Sequence, residues 1–149
     1  MSGWALHIHI IAATAWIGGS IFMFVLGVTL RDKKAQEEVY PHIGPIFGWF
    51  EVAALIALLL SGYIMAVDYA LFYVLFQFDD NELTYTILKK VILVGILTIA
   101  TIIHFVIAYR TNGKERTRIE QLVSRGSSML IFFLNLFVMH FGIVLRDTL

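Results

Sequence analysis

The segment 6–19, LHIHIIAATAWIGG, carries two histidines, a tryptophan and two adjacent glycines inside an otherwise apolar run. In an α-helix about seven residues make almost two turns, so His9 and Trp16 share one face, whereas His7 points elsewhere. An imidazole above small residues predicts a slot for a flat ligand or for another helix, with Trp16 and Gly19 shaping that pocket. The small residues of this face are Ala12, Ala13 and Ser20, with Gly19 at its edge.

The chain has five histidines and no cysteine. The lack of cysteine excludes disulfides, iron–sulfur clusters, thiolate metal sites and covalent c-type haem attachment. Neutral imidazole is a usual axial ligand of b-type haem, and the interiors of helix bundles hold such cofactors. Zinc or copper is the competing interpretation, but a closed metal site needs three or four converging donors. The five methionines form no MxM or MxxM array, so the sequence favours haem over copper.

The composition is that of an integral membrane protein. Of the 149 residues, 59% are hydrophobic and 15% are charged, and the mean hydropathy is +0.82. A soluble domain is typically about half apolar and about a quarter charged. The formal net charge is zero, which gives no indication of a nucleic-acid partner.

Four apolar runs predict four transmembrane helices, because each approaches or exceeds the roughly 20 residues that cross a hydrocarbon core. The first has no basic segment before it and is longer than a signal-peptide core, so we expect it to be retained. Short connections favour an all-α, antiparallel four-helix transmembrane bundle, counted as one domain over 1–149. The aromatic stretch 68–78 is predicted to extend the second helix outward or to lie in the membrane interface. The predicted spans are about 4–30, 43–67, 86–109 and 128–145.

Basic residues cluster in two of the three connections. The segments 31–34 and 110–125 are rich in Lys and Arg, whereas 77–86 contains neither. The positive-inside rule therefore predicts that both basic connections are cytoplasmic and both termini external. We expect a multi-pass protein of the inner (cytoplasmic) membrane.

This topology sorts the histidines into two levels. His9 and His140 each lie about five residues inside the external ends of their spans, which is about 8 Å at the helical rise. Histidines at one depth on different helices predict an axial pair that holds a haem. His104, with His42 at the cytoplasmic edge of the second span, is the predicted ligand set of a second haem.

Three more polar groups fall within the spans. A carboxyl group at the depth of Glu51 should be paired, protonated or in contact with water. It is either part of a proton path or a shallow charge that is hydrated from the adjoining loop. Lys90, close in depth to His9, either reaches the external interface with Lys89, pairs with a haem propionate, or ligates the iron when deprotonated. Asn135 is predicted to form a hydrogen bond between helices.

The first-helix segment LHIHIIAATAWIGGSIFM, with its His9-to-Trp16 spacing and the following glycine pair, resembles the first helix of the CopD-like copper-resistance family. It is also similar to the first helix of HemJ-type protoporphyrinogen oxidases. LLLSGYIMA at 58–66 and LKKVILVGIL at 88–97 resemble the second and third helices of those families, with Lys90 best matched. The HemJ-type resemblance implies haem b bound by His9, Lys90 as a second functional residue, and oxidation of a porphyrinogen. The CopD-like resemblance implies copper import or copper resistance.

The sequence thus predicts a b-type haem-binding membrane protein with a redox or electron-transfer role and with one or two haems. The predicted iron ligands are His9, His140 and His104. Expected partners are the lipid bilayer and either a membrane redox protein or a small molecule of the quinone or porphyrin type. Small residues on the outer faces also permit a homodimer. The alternatives are a HemJ-type oxidase, a copper-handling membrane protein, and an assembly subunit whose histidines only join helices.

Overall fold

The protein is described by a computed structural model that covers residues 3–77, 80–110 and 118–148. Every regular element in these ranges is an α-helix, and four of the helices are long and apolar enough to cross a membrane. This confirms the predicted all-α, four-helix membrane bundle. Lys114 and Arg116 of the predicted basic connection lie outside the described residues. The helices are α1 (Gly3–Thr29), α2 (Lys33–Asp68), α3 (Leu71–Phe76), α4 (Glu82–Arg110) and α5 (Arg118–Thr148).

Each long helix contacts two of the other three. Helix α1 packs on α2 and α5, and α4 packs on the same two helices. Within the described ranges no Cα atom of α1 lies within 8 Å of one in α4, and the same holds for α2 and α5, so these pairs lie diagonally across the bundle. A side chain of α1 therefore meets a side chain of α4 only across the interior of the bundle.

A cluster of buried apolar residues fills the middle of the bundle. Its centre is Trp16, which is 1% exposed. Many other large apolar side chains, such as Ile11 and Leu60, are exposed, as expected for helix faces that meet lipid. The cluster separates the half of the bundle that contains His9 from the half that contains Ser20. We name these the external and the cytoplasmic half after the topology predicted from the sequence. Its other members are Ala54, Leu55, Leu97, Ala100, Ile131 and Leu134.

Helix α2 begins at Lys33, well before the predicted start of the second span near residue 43. Asp32 caps it, because its carboxylate accepts a hydrogen bond from the Ala35 backbone N at 3.3 Å. The segment is too polar to count as membrane span, but its Lys, Ala, Gln and Glu residues favour a helix. Pro41 and Pro45 lie inside α2, where each lacks the N–H that would donate to the preceding turn.

The aromatic stretch after α2 does not continue that helix. Helix α2 ends at Asp68, and Ala70 takes the left-handed conformation with φ 53° and ψ 30°. Helix α3 follows as a separate short element that packs on α2 and α4. The ring of Phe72 lies 5.7 Å from that of Tyr63, centroid to centroid. Of the two alternatives for this stretch, the outward extension of α2 is therefore wrong.

Candidate functional site

His9 lies on the inward face of α1 and contacts α2. Its Nδ1 atom is 2.9 Å from the hydroxyl oxygen of Ser61. Its ring covers Gly62, where an added Cβ would lie 3.3 Å from the His9 Cε1 atom. The serine–glycine pair thus gives the imidazole one polar contact and the space that it occupies.

The contacts of Ser61 decide which way this hydrogen bond runs. The Ser61 Oγ atom lies 2.6 Å from the Ala57 carbonyl oxygen, to which only the hydroxyl can donate. Because the Ser61 proton is used there, Oγ accepts from Nδ1–H of His9. In this tautomer the Nε2 atom of His9 carries a lone pair. The Leu58 backbone carbonyl also lies within hydrogen-bonding reach of the ring, and a carbonyl can only accept from it. Histidines that bind metals are typically oriented in this way, with the other ring N–H donated to a polar neighbour.

Lys90 points from α4 toward α5 and the bundle interior. An added Cβ at Gly142 would lie 3.5 Å from the Lys90 Nζ atom, and the ammonium group lies within electrostatic range of the His9 ring. Its neighbour Lys89 is exposed, whereas Lys90 is partly buried. In the part of the chain that the structure describes, Lys90 forms neither an ion pair nor a hydrogen bond. An ammonium in the interior without a carboxylate partner can bind an anionic group of a ligand.

The structure does not bring His140 to His9. His140 is exposed, and its ring packs against Phe141 with the centroids 5.5 Å apart. Across the described ranges, no ring contact or hydrogen bond joins it to His9. Nine residues at about 100° each turn His140 to the side of α5 opposite the buried Ile131. The two histidines match in predicted depth but not in the face that they occupy.

A cavity of about 40 Å³ lies on the cytoplasmic side of Trp16. Each of the four long helices contributes one polar side chain to its wall. The carboxyl group of Glu51 is the most unusual of these, because the residue is 4% exposed. None of the described residues forms a hydrogen bond or an ion pair with it. The four polar residues are Ser20, Glu51, His104 and Ser128.

His104 joins α4 to α5 and lines this cavity. Its Nδ1 atom lies 3.2 Å from the hydroxyl oxygen of Ser127. The neighbouring cavity has room for a few water molecules, and the second haem at His104 stays a prediction. His42 is exposed on the polar extension of α2, between the two prolines.

The structure places neither Trp16 nor Gly19 against His9: Trp16 belongs to the buried apolar cluster, and Gly19 faces Phe47 and Phe50 of α2. An added Cβ at Gly19 would lie only 2.9 Å from the Cε2 atom of Phe47, and Phe47 lines the cavity. The indole N–H of Trp16 is buried and has no hydrogen-bond partner among the residues that the structure describes. Next to it, the Asn135 side-chain amide donates to Ser20 Oγ at 3.1 Å, which confirms the predicted bond between helices.

Sequence reasoning missed several residues that define these sites. Ser61 and Gly62 interrupt an apolar run on α2, and that interruption is the signal that marks them. Met23 of α1 and Met129 of α5 line the cavity with His104. Thioethers are soft donors that copper(I) prefers, and imidazole also binds copper, so these three side chains share one cavity wall with chemistry that suits copper. Spacing along the chain could not show this set, because its members lie on three helices.

An apolar groove runs along the outside of α1 and α2. Its volume is about 260 Å³, and it is open at the surface of the bundle. Small side chains leave it open, since alanines occupy five of its eight lining positions. The lining residues are Ile8, Ile11, Ala12, Ala15, Phe50, Ala53, Ala54 and Ala57.

Comparisons with models of protein families, with curated proteins and with solved structures found no match. The chemistry of the chain is therefore inferred from the two polar sites. The external site offers an oriented imidazole and an unpaired ammonium. The cytoplasmic site offers a buried carboxyl group in a small polar cavity.

Proposed function

We propose that this membrane protein binds one haem b in the external half of its bundle, with His9 as an axial ligand, and carries electrons within the membrane. The observation that supports this most strongly is the hydrogen bond between His9 and Ser61. This bond places the proton of the neutral imidazole on Nδ1 and its lone pair on Nε2. This donor and its orientation fit a haem iron.

When bound, haem b supplies an iron that gains and loses one electron. The protein supplies the surroundings that bind and tune it. Ser61 fixes the tautomer and the angle of the His9 ring, and Gly62 keeps the space for that ring open. Lys90 offers its ammonium to a porphyrin carboxylate. The buried cluster around Trp16 keeps water from crossing the bundle at this level.

The proposal includes one haem, which His9 ligates. His140 is exposed and faces away from the interior, so it is not part of this site, and a second haem at His104 stays a prediction from the sequence. The electron partner is a redox protein or a quinone in the same membrane, which we propose to be the inner membrane.

Oxidation of a porphyrinogen is the second candidate function. It is favoured by the position of Lys90, whose ammonium lies within electrostatic range of His9 across the interior of the bundle. The open groove on α1 and α2 offers an apolar substrate a place to bind from the lipid. In this reaction, electrons leave the porphyrinogen for a membrane acceptor such as a quinone.

A pyridine haemochrome assay on the purified protein tests the proposal. We expect the spectrum of haem b, at one haem for each chain. Folded protein with no haem absorption, both as purified and after incubation with haemin, contradicts it. Porphyrinogen turnover by the haem-loaded protein, measured with a quinone present, separates the oxidase from the electron carrier.

A further inference from the structure

We propose that Glu51 is a proton-binding site in a water-filled cavity that exchanges with the cytoplasmic side of the membrane alone. The cavity is the one lined by Ser20, Glu51, His104 and Ser128. It lies in the other half of the bundle from His9, and its function does not depend on haem binding.

The burial of Glu51 points to this role. The residue is 4% exposed, and none of the described residues provides a cation or a hydrogen-bond donor to its carboxyl group. A carboxylate in the interior of a membrane protein is costly without such a partner. A proton on the carboxyl group removes the charge, and water in the cavity satisfies the remaining hydrogen bonds.

The cavity is suited to hold that water. Its volume is about 40 Å³, and a cavity needs about 10–15 Å³ of such space to hold one water molecule. A few molecules therefore fit. Hydroxyl groups from α1 and α5 and the imidazole of α4 surround them with the polar partners that buried water requires.

The groups that face Glu51 limit where the proton can reside. Helix α1 contributes Ser20 and α5 contributes Ser128, and neither side chain titrates. Helix α4 contributes His104, whose Nδ1 atom is engaged with Ser127. Among the residues that the structure describes, no lysine or arginine lines the cavity. Glu51 and His104 are therefore the two groups of the described cavity wall whose side chains can bind a proton.

The two ends of the cavity differ. Toward the external side, the bond between Asn135 and Ser20 and the buried Trp16 close the interior. Toward the cytoplasmic side, the polar contacts continue from His104 to Ser127 near the beginning of the α5 span. Protons therefore reach Glu51 from the cytoplasm.

Infrared spectroscopy of the full chain in lipid vesicles tests the proton site. We expect a carbonyl stretching band of a protonated carboxylic acid that shifts promptly in heavy water. Glu51→Gln should remove this band, Glu51→Asp should move it, and Glu82→Gln should leave it unchanged, because Glu82 is exposed at the start of α4. If Glu51→Gln does not fold, the presence of the band in the wild-type chain and its exchange in heavy water still test the proposal. No such band, or a band that does not exchange, overturns the proposal.

Sealed vesicles of a single orientation test the sidedness. The intensity of the Glu51 band should fall when the pH is raised on the cytoplasmic face and should not respond to the pH on the external face. A band that follows the external pH overturns the cytoplasmic connection. A band that responds to neither side overturns the proposal that the site exchanges protons.

Discussion

The imidazole of His9 and the hydroxyl of Ser61 join α1 to α2 through a hydrogen bond of 2.9 Å. Because Ser61 also donates to the Ala57 carbonyl at 2.6 Å, the histidine must be the donor. The contact therefore does more than link two helices. It selects the tautomer of His9 that has a lone pair on Nε2, the form in which an imidazole binds a metal.

Replacing Ser61 by alanine should weaken haem binding without removing the ligand. The His9 ring loses the acceptor that fixes its orientation, and loss of such a contact typically costs about 10–100-fold in affinity. Titration of the apoprotein with haemin measures the change. Ser127→Ala is the matched control, because it removes a comparable contact from His104 and should leave haem affinity unchanged. Equal losses in both variants would contradict the role of Ser61.

Gly62→Ala should also lower the haem content. The added methyl group would lie 3.3 Å from the His9 Cε1 atom, which requires the ring to move. Gly18→Ala is the control, since nothing lies within 4 Å of a Cβ there. Both variants gain a similar helix propensity, up to about 1 kcal/mol, so the difference between them reports the contact with His9. The ratio of haem absorbance to protein, compared between the two variants, checks this prediction.

Lys90→Met should reduce haem affinity, by about 1.5–3 kcal/mol of binding free energy if the ammonium bonds a porphyrin carboxylate. The same variant should not destabilise the apoprotein, because Lys90 has no partner to lose among the described residues. Lys89→Met, at an exposed position, should change neither property. Haemin titration and denaturant unfolding of the three proteins provide the comparison. An unaltered affinity in K90M would remove Lys90 from the site.

Gly19→Ala should destabilise the bundle by about 1–3 kcal/mol, the usual cost of overpacking. The added Cβ would lie 2.9 Å from the Phe47 ring, which must move. Phe47→Leu in the Gly19→Ala background should restore part of the loss, because the smaller side chain vacates the contact. Unfolding free energies of the single and double variants measure this coupling. Strictly additive effects on the unfolding free energy would show that the two positions are not coupled through a steric contact.

The helices could be predicted from the sequence, and the faces that meet could be predicted only in part. Hydropathy locates membrane spans because lipid requires long apolar runs. Helical periodicity correctly placed His9 and Trp16 on one face of α1. Hydropathy missed the polar first part of α2, because Lys33 and its neighbours form a helix without being apolar.

His140 shows that the depth of a residue along a span is not sufficient to identify it as a ligand. Position along a span gives the level of a residue, but the packing of the helix decides which way it faces. In a membrane both faces of a helix are apolar, so the usual contrast between buried and exposed sides is weak. In α5 the polar residues still indicate the inward face, because Asn135 and Ser127 are both buried. Contacts such as that between His9 and Ser61 depend on how α1 and α2 align, which neither helix specifies alone.

The haem content of His9→Ala, compared with that of His140→Ala, tests the central claim most directly. Each protein is purified under the same conditions, checked for folding by circular dichroism, and assayed by pyridine haemochrome. Haem b should be present in the wild-type chain and in His140→Ala and should be lost from His9→Ala. Retention of haem in folded His9→Ala, or its loss from His140→Ala, would contradict the assignment of His9 as the ligand.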